Sequence, residues 1–319
     1  MPTPLLRLVA QRVLLGLLLL LAVSVLIFVG TQILPGDVAQ AILGQSATPQ
    51  NLQNLRLELG LDKSAVERYF LWLGDAVQGD FGNALANKRP VADLIGQRLD
   101  NTLFLAGVTG AIAVPLAIIL GLVSVRYKDR WPDRVINIFT LSAISFPEFF
   151  VGYLLMLVFA LELQWVQPLS AIRPGMSFGD KLAATILPCA TLTFAVLAHM
   201  QRMTRAAILN VFGSAYIETA ELKGLRQITI IWRHAFPNAI APIVNVVMLN
   251  LAYLVVGVVV VEVVFVYPGL GTLMVDNVGY RDVPVVQACG LLFAATYIVL
   301  NIVADVVGLV ANPRLRHPK

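Results

Sequence analysis

Charge is scarce in this chain. Asp, Glu, Lys and Arg make up 13% of its 319 residues, roughly half the share in a soluble globular domain. So little charge excludes a disordered segment, which is apolar-poor and charge-rich. A hydrophobic content of 58% with mean hydropathy +0.79 excludes an ordinary water-soluble domain as well. Cysteine is limited to Cys189 and Cys289, both inside apolar runs and without a Cys or His near them, so they read as small packing residues and not as a disulfide or metal pair. The three histidines, His199, His234 and His317, are too scattered to suggest one metal site. There is no H-E-x-x-H and no G-x-S-x-G elbow, and Gly44-Gln45-Ser46 is a loop tripeptide with no base beside it. None of the six lysines follows a glycine and precedes Ser or Thr, so there is no Walker A loop to hold ATP phosphates. With no catalytic residue set and no metal or cofactor site in the pattern, the chain does not read as an enzyme.

What the sequence has instead is length of apolar run. Six stretches, 13–34, 102–125, 135–161, 182–200, 239–261 and 285–310, reach the length of about 20 residues that crosses ~30 Å of hydrocarbon. The first follows Arg7 and Arg12, and Ala39-Gln40-Ala41 imitates a signal cleavage site, but its apolar run exceeds a signal h-region and favours a retained helix. The expected fold is therefore an all-α polytopic membrane protein with six transmembrane helices.

Lys and Arg set the orientation. The N-terminus, the loop after the second span (Arg126, Lys128, Arg130, Arg134), the loop after the fourth (Arg202, Arg205, Lys223, Arg226, Arg233) and the tail (Arg314, Arg316, Lys319) hold 14 of the 23. That side is cytoplasmic by the positive-inside rule, so both termini face in. The net charge of +4 is then accounted for by basic loops at an anionic leaflet, and no nucleic-acid partner is implied. The organisation reads as a cytoplasmic N-terminus (1–12), a first span (13–34), an external region (35–101), a five-helix core (102–310) that includes a cytoplasmic loop (201–238), and a cytoplasmic tail (311–319).

The external region shows helical periodicity at Leu52, Leu55 and Leu59 and at Val66, Tyr69, Phe70 and Leu73, punctuated by Gly60-Leu61-Asp62 and Gly79-Asp80-Phe81-Gly82. These short amphipathic helices serve either as a docking surface or as a cap over helix ends. In the cytoplasmic loop, 210–223 reads as one helix ended by Gly224 in the left-handed C′ position. A second piece, 225–236, leads to Pro237 as the first residue of the next helix. Pro115, Pro147, Pro188 and Pro242 each remove a helix hydrogen bond within a span, as in bundles that move.

Acids at membrane depth cost about 2.5–3.5 kcal/mol on insertion scales and are functional candidates by default. Glu162 and Glu262 lie at outer ends and read as interfacial or loop-bracing. Glu148 follows the break at Pro147. Asp305 lies one turn beyond Asn301, giving a shared face that points into the bundle, as an interhelical clamp or as a proton or substrate site. Asn245 in the fifth span joins Glu148, Asn301 and Asp305 as a candidate for a translocation path. A proton- or ion-coupled transporter remains an alternative, though it leaves the inner loop unexplained.

The run Ala215-Tyr216-Ile217-Glu218-Thr219-Ala220-Glu221-Leu222-Lys223-Gly224, with His234-Ala235-Phe236-Pro237 beyond it, resembles the EAA signature of ABC importer permeases. Its spacing is kept, while Thr219, His234 and Phe236 depart from the general pattern. Leu34-Pro35-Gly36-Asp37, Leu59-Gly60-Leu61-Asp62, Gly79-Asp80-Phe81-Gly82, Glu262-Val263-Val264-Phe265-Val266-Tyr267-Pro268-Gly269-Leu270-Gly271 and Arg281-Asp282-Val283-Pro284-Val285-Val286-Gln287 are similar to the B-type membrane subunit of dipeptide and oligopeptide importers. The resemblance implies a type I importer permease fold in a bacterial inner membrane. It implies a second, homologous permease, two cytoplasmic ATPase subunits that carry ATP and Mg, and an external substrate-binding protein. The coupling loop would use Ala215, Tyr216, Glu218, Thr219, Ala220, Glu221, Lys223, Gly224, His234 and Pro237. Short peptides, nickel, glutathione, opines and some sugars are the cargoes it implies.

Overall fold

The structure is a computed structural model that describes residues 4–33, 47–58 and 60–311. Leu34-Pro35-Gly36-Asp37, Ala39-Gln40-Ala41, Gly44-Gln45-Ser46, Leu59, Arg314, Arg316, His317 and Lys319 lie outside the described residues. Among those described, every regular element is a helix. They are α1 (Pro4–Ile33), α2 (Pro49–Glu58), α3 (Ala65–Val77), α4 (Val91–Arg126), α5 (Trp131–Ser145), α6 (Glu148–Leu155), α7 (Phe178–Ala184), α8 (Ile186–Phe212), α9 (Ala215–Leu222), α10 (Gln227–Ile230), α11 (Phe236–Val264), α12 (Leu270–Tyr280) and α13 (Val283–Ala311). A π-helical stretch, Met156–Glu162, extends α6, and another, Ile231–Ala235, joins α10 to α11. Helices are the expected solution, because in hydrocarbon each backbone N–H and C=O must be satisfied within the segment.

Four helices among the described residues are long and apolar enough to cross a membrane: Val9–Ile33, Val91–Arg126, Gln227–Val264 and Val283–Gly308. Two bent pairs, α5 with α6 and its π stretch at 106°, and α7 with α8 at 60°, bring the number to as many as six when each pair is counted as one span. The third span is thus not straight. Pro147 lacks an N–H and holds Phe146 extended (φ −95°, ψ 135°), so the helix stops and restarts in a new direction. Pro188 falls in the first turn of α8 and breaks no bond, whereas Pro115 and Pro242 sit inside α4 and α11.

The core lies where α4, α8 and α11 meet: Leu105, Ala113 and Ala117 face Leu192, Val196 and Met200, and Leu254, Val258 and Val261. The cysteines take their expected packing roles, buried and unpaired. Outside the core, α1 lies along α13. Arg12 meets Asp305 at 3.1 Å near one end and the Gln287 amide donates to Thr31 at 2.7 Å near the other. External helix α3 rests on α1, with the Ser24 and Tyr69 hydroxyls 2.8 Å apart and Phe28 against Tyr69 and Trp72.

Two polar clamps hold this bundle at its ends. On the outer side, Glu262 is fully buried and accepts from Thr102 Oγ1 at 2.6 Å and from the backbone N–H groups of Gly271 and Thr272 at 2.7 and 3.1 Å. The acid therefore braces the loop and the N-terminus of α12 against α4. Gly271 is dictated by closeness, since a Cβ there would lie 2.7 Å from the Cα of Val259. On the inner side, Arg205 of α8 grips Asp133 of α5 with both arms, Nη2 to Oδ2 at 2.8 Å and Nε to Oδ1 at 3.0 Å. Ser124 of α4, the Asn137 amide and the Asp129 N–H also donate to Asp133. Arg205, a loop charge by its place in the sequence, and Asp133 fasten the inner ends of three helices together.

Both clamps are open to test by thermal unfolding of the purified protein in detergent. Glu262→Leu strands two buried backbone donors and should cost about 2–5 kcal/mol, with Glu262→Gln milder because it keeps an acceptor. Arg205→Ala should cost about 3 kcal/mol by leaving Asp133 buried without its ion partner, and Arg205→Lys should recover only part, since an ammonium cannot reproduce the two-armed grip. Unchanged unfolding of Glu262→Leu or Arg205→Ala would contradict these roles.

Candidate coupling site and membrane-depth polar groups

The inner loop forms three short pieces. The expected single helix over 210–223 is interrupted: α8 ends at Phe212, Gly213 caps it, and Ser214 in an extended conformation begins α9. An eight-residue helix is not stable alone in water, so α9 depends on what it packs against. Ile217 and Ala220 are buried, in a cluster with Ile208, Ile230, Ile231, Leu122 and Val125. Burying the isoleucine alone contributes about 1.5–3 kcal/mol. The opposite side of α9 is free: Ala215, Tyr216, Glu218, Thr219, Glu221 and Lys223 are exposed. Ala220 packs against its own bundle, where its small side chain admits α9.

Gly224 has φ +73°, and its N–H donates to Glu221 O at 2.8 Å while that of Leu225 donates to Ala220 O at 3.3 Å. This left-handed close ends the helix as expected. No atom lies within 4 Å of where a Cβ at 224 would stand, so the backbone angle alone demands glycine. Helix α11 opens at Phe236 with Pro237 in its first turn, close to the expected start, but the span it belongs to begins earlier. It starts at Gln227 and runs through the Ile231–Ala235 π stretch to Val264 as one span. The wider register shifts the bonding pattern just where proline lacks a donor, so the chain passes Pro237 without a break. His234 is half-buried and Pro237 exposed, and the His234 carbonyl accepts from the Asn238 amide at 2.7 Å.

Of the membrane-depth candidates, Glu148 stands at the start of α6 and accepts from the Tyr253 hydroxyl of α11 at 2.6 Å. Asn245, Leu249, Tyr253, Val256 and Val260 form one exposed stripe of α11 at spacings of three and four. The Asn301 amide turns back on the Tyr297 carbonyl of its own helix, and Asp305 is taken by Arg12 at the α1–α13 contact. The four residues are therefore not gathered at one place: Glu148 meets Tyr253 of the α11 stripe, Asn245 of the same stripe sets its Oδ1 beside Gly308 of α13, and Asp305 fastens the outermost helix. His199 lies halfway along α8 and not at its cytoplasmic end, with Nδ1 3.2 Å from the Asn250 amide. Tyr253 was missed from sequence. Its only signal was a phenol inside an apolar span with a glycine four residues on.

Residues 113–317 match the family described as binding-protein-dependent transport system inner membrane component, and residues 5–106 match the N-terminal region of the same kind of membrane component. The glutathione transport system permease protein GsiC of Escherichia coli (strain K12) is 40% identical over 305 residues, which cover 95% of this chain and 97% of that protein. Its counterpart in Shigella dysenteriae serotype 1 (strain Sd197) gives the same figures. Among solved structures, an inward-facing conformation of the MetNI methionine ABC transporter superposes with TM-score 0.54 at 17% identity, over 69% of this chain and 96% of that one. A second crystal form gives 0.53. The fold is that of a type I importer permease, and the chain belongs to the inner-membrane components of binding-protein-dependent transport systems, the permease subunits of ABC importers.

Proposed function

We propose that this permease supplies half of a solute path through the inner membrane, with a second, homologous permease supplying the other half. Two cytoplasmic ATPase subunits bind ATP and Mg and drive the path between inward- and outward-open forms, and a binding protein delivers cargo from outside. The observation that carries this reading is the two-sided character of α9. One side, Ile217 and Ala220, is fixed in the bundle, and the other, Tyr216, Thr219 and Lys223, is free to seat in a partner. Glu218 and Glu221 are exposed acids suited to basic groups on that partner. For cargo, a small peptide-like solute is the reading that the resemblance to peptide importers supports. Glutathione is the first to try, because the 40% identical permeases are named for it.

Single cysteines along α9 test the coupling role in the assembled complex. Tyr216→Cys, Thr219→Cys and Lys223→Cys should crosslink to the ATPase, whereas Ile217→Cys and Ala220→Cys should not. Crosslinking at none of the exposed positions contradicts the assignment. Gly224→Val should assemble but lose most ATP-driven uptake, since a β-branched residue at positive φ costs about 1–2 kcal/mol or more. Gly224→Asn should retain uptake, because asparagine tolerates that conformation. Normal uptake by the valine variant would sink the idea.

A further inference from the structure

Glu148 is an acid at membrane depth without an ionic partner among the described residues. Among the described residues no Lys, Arg or His pairs with it, and its one side-chain hydrogen bond comes from Tyr253. A carboxylate offers about four acceptor sites, so most of them remain open. The side chains around it leave the site open on one face. Tyr253 is 45% exposed, and its ring lies along α11 over Gly257, where a Cβ would stand 2.9 Å from Cε1 and Cζ. Phe146 and Phe150, which bracket Glu148 across the Pro147 break, stack at 5.4 Å and are both exposed. Facing lipid, this acid would carry the insertion penalty with the Tyr253 hydrogen bond alone to offset it. Facing a path between two permeases, a carboxylate and a phenol make a receptor for a cation.

We propose that Glu148 and Tyr253 form a cation subsite on the path-facing stripe of α11 that receives the protonated amino group of the passing solute. This rests on the peptide-like cargo proposed above, whose α-amino group is largely protonated at neutral pH. Glu148 takes the ammonium, and Tyr253 orients the carboxylate through its hydrogen bond. A single charge-assisted contact is strong enough to select an amine and weak enough to release it in each cycle.

The test uses the full complex in proteoliposomes, with glutathione and its deaminated analogue as probes. Glu148→Gln should co-purify with its partners yet slow glutathione uptake on the order of tenfold. Glu148→Asp should restore part of the rate by keeping the charge, and Tyr253→Phe should fall between. The deaminated analogue should move equally slowly through the wild type and Glu148→Gln, which a purely structural role would not produce. Wild-type glutathione uptake by Glu148→Gln overturns the subsite, as does loss of the partner permease from that variant, which would place the pair in the subunit interface. If the wild-type complex moves dialanine and not glutathione, the glutathione reading fails and the same variants are compared with dialanine. No ATP-driven uptake of either amine overturns the subsite.

Discussion

A helix pushed from below transmits force only if it is fastened to what must move. Here that fastening is the burial of Ile217 and Ala220 among Ile208, Ile230, Ile231 and Leu122. These neighbours belong to α8, to the start of the fifth span and to α4, so a displacement of α9 reaches three crossing elements at once. The Asp133–Arg205 grip lies nearby on the inner side and ties α5 into the same block. Interiors packed in this way transmit displacement because they have little compressibility.

The membrane explains why the polar groups stand where they do. Without water, a polar group inside the bundle needs a partner within the protein, and long-range pairs meet that need at three places. Glu262 takes donors from α4 and α12, Asp305 takes Arg12, and Asn250 takes His199. Each pair fixes one helix against another, so the cost of placing it at depth yields specificity of packing. Glu148 stands apart in having a hydrogen bond without a counter-charge among the described residues.

Features set by local chemistry were legible in the amino-acid order. Apolar length announced the spans, a positive-φ glycine closed the helix at Gly224, and proline broke the third span at Pro147. What escaped was whatever depends on which helices touch. Asp133 and Arg205 are 72 residues apart, Glu262 and Thr102 are 160 apart, and nothing in a linear pattern pairs them. The inward turn of Ala220 escaped for the same reason, because smallness suits a contact on either side. The passage through Pro237 needed a π-helical register that follows from the packing of Ile231 and Ala235 and not from composition.

On the function proposed, the chain is a mechanical part: α9, the clamps and the open stripe serve movement and passage, and its sequence has no Walker A loop. The most direct measurement of that claim is solute accumulation in liposomes containing this chain and its partner permease, with binding protein outside, with and without the ATPase subunits and internal ATP. The account predicts accumulation only when ATPases and ATP are both present, and none from an imposed proton gradient. Accumulation by the permeases alone, driven by that gradient, would contradict it.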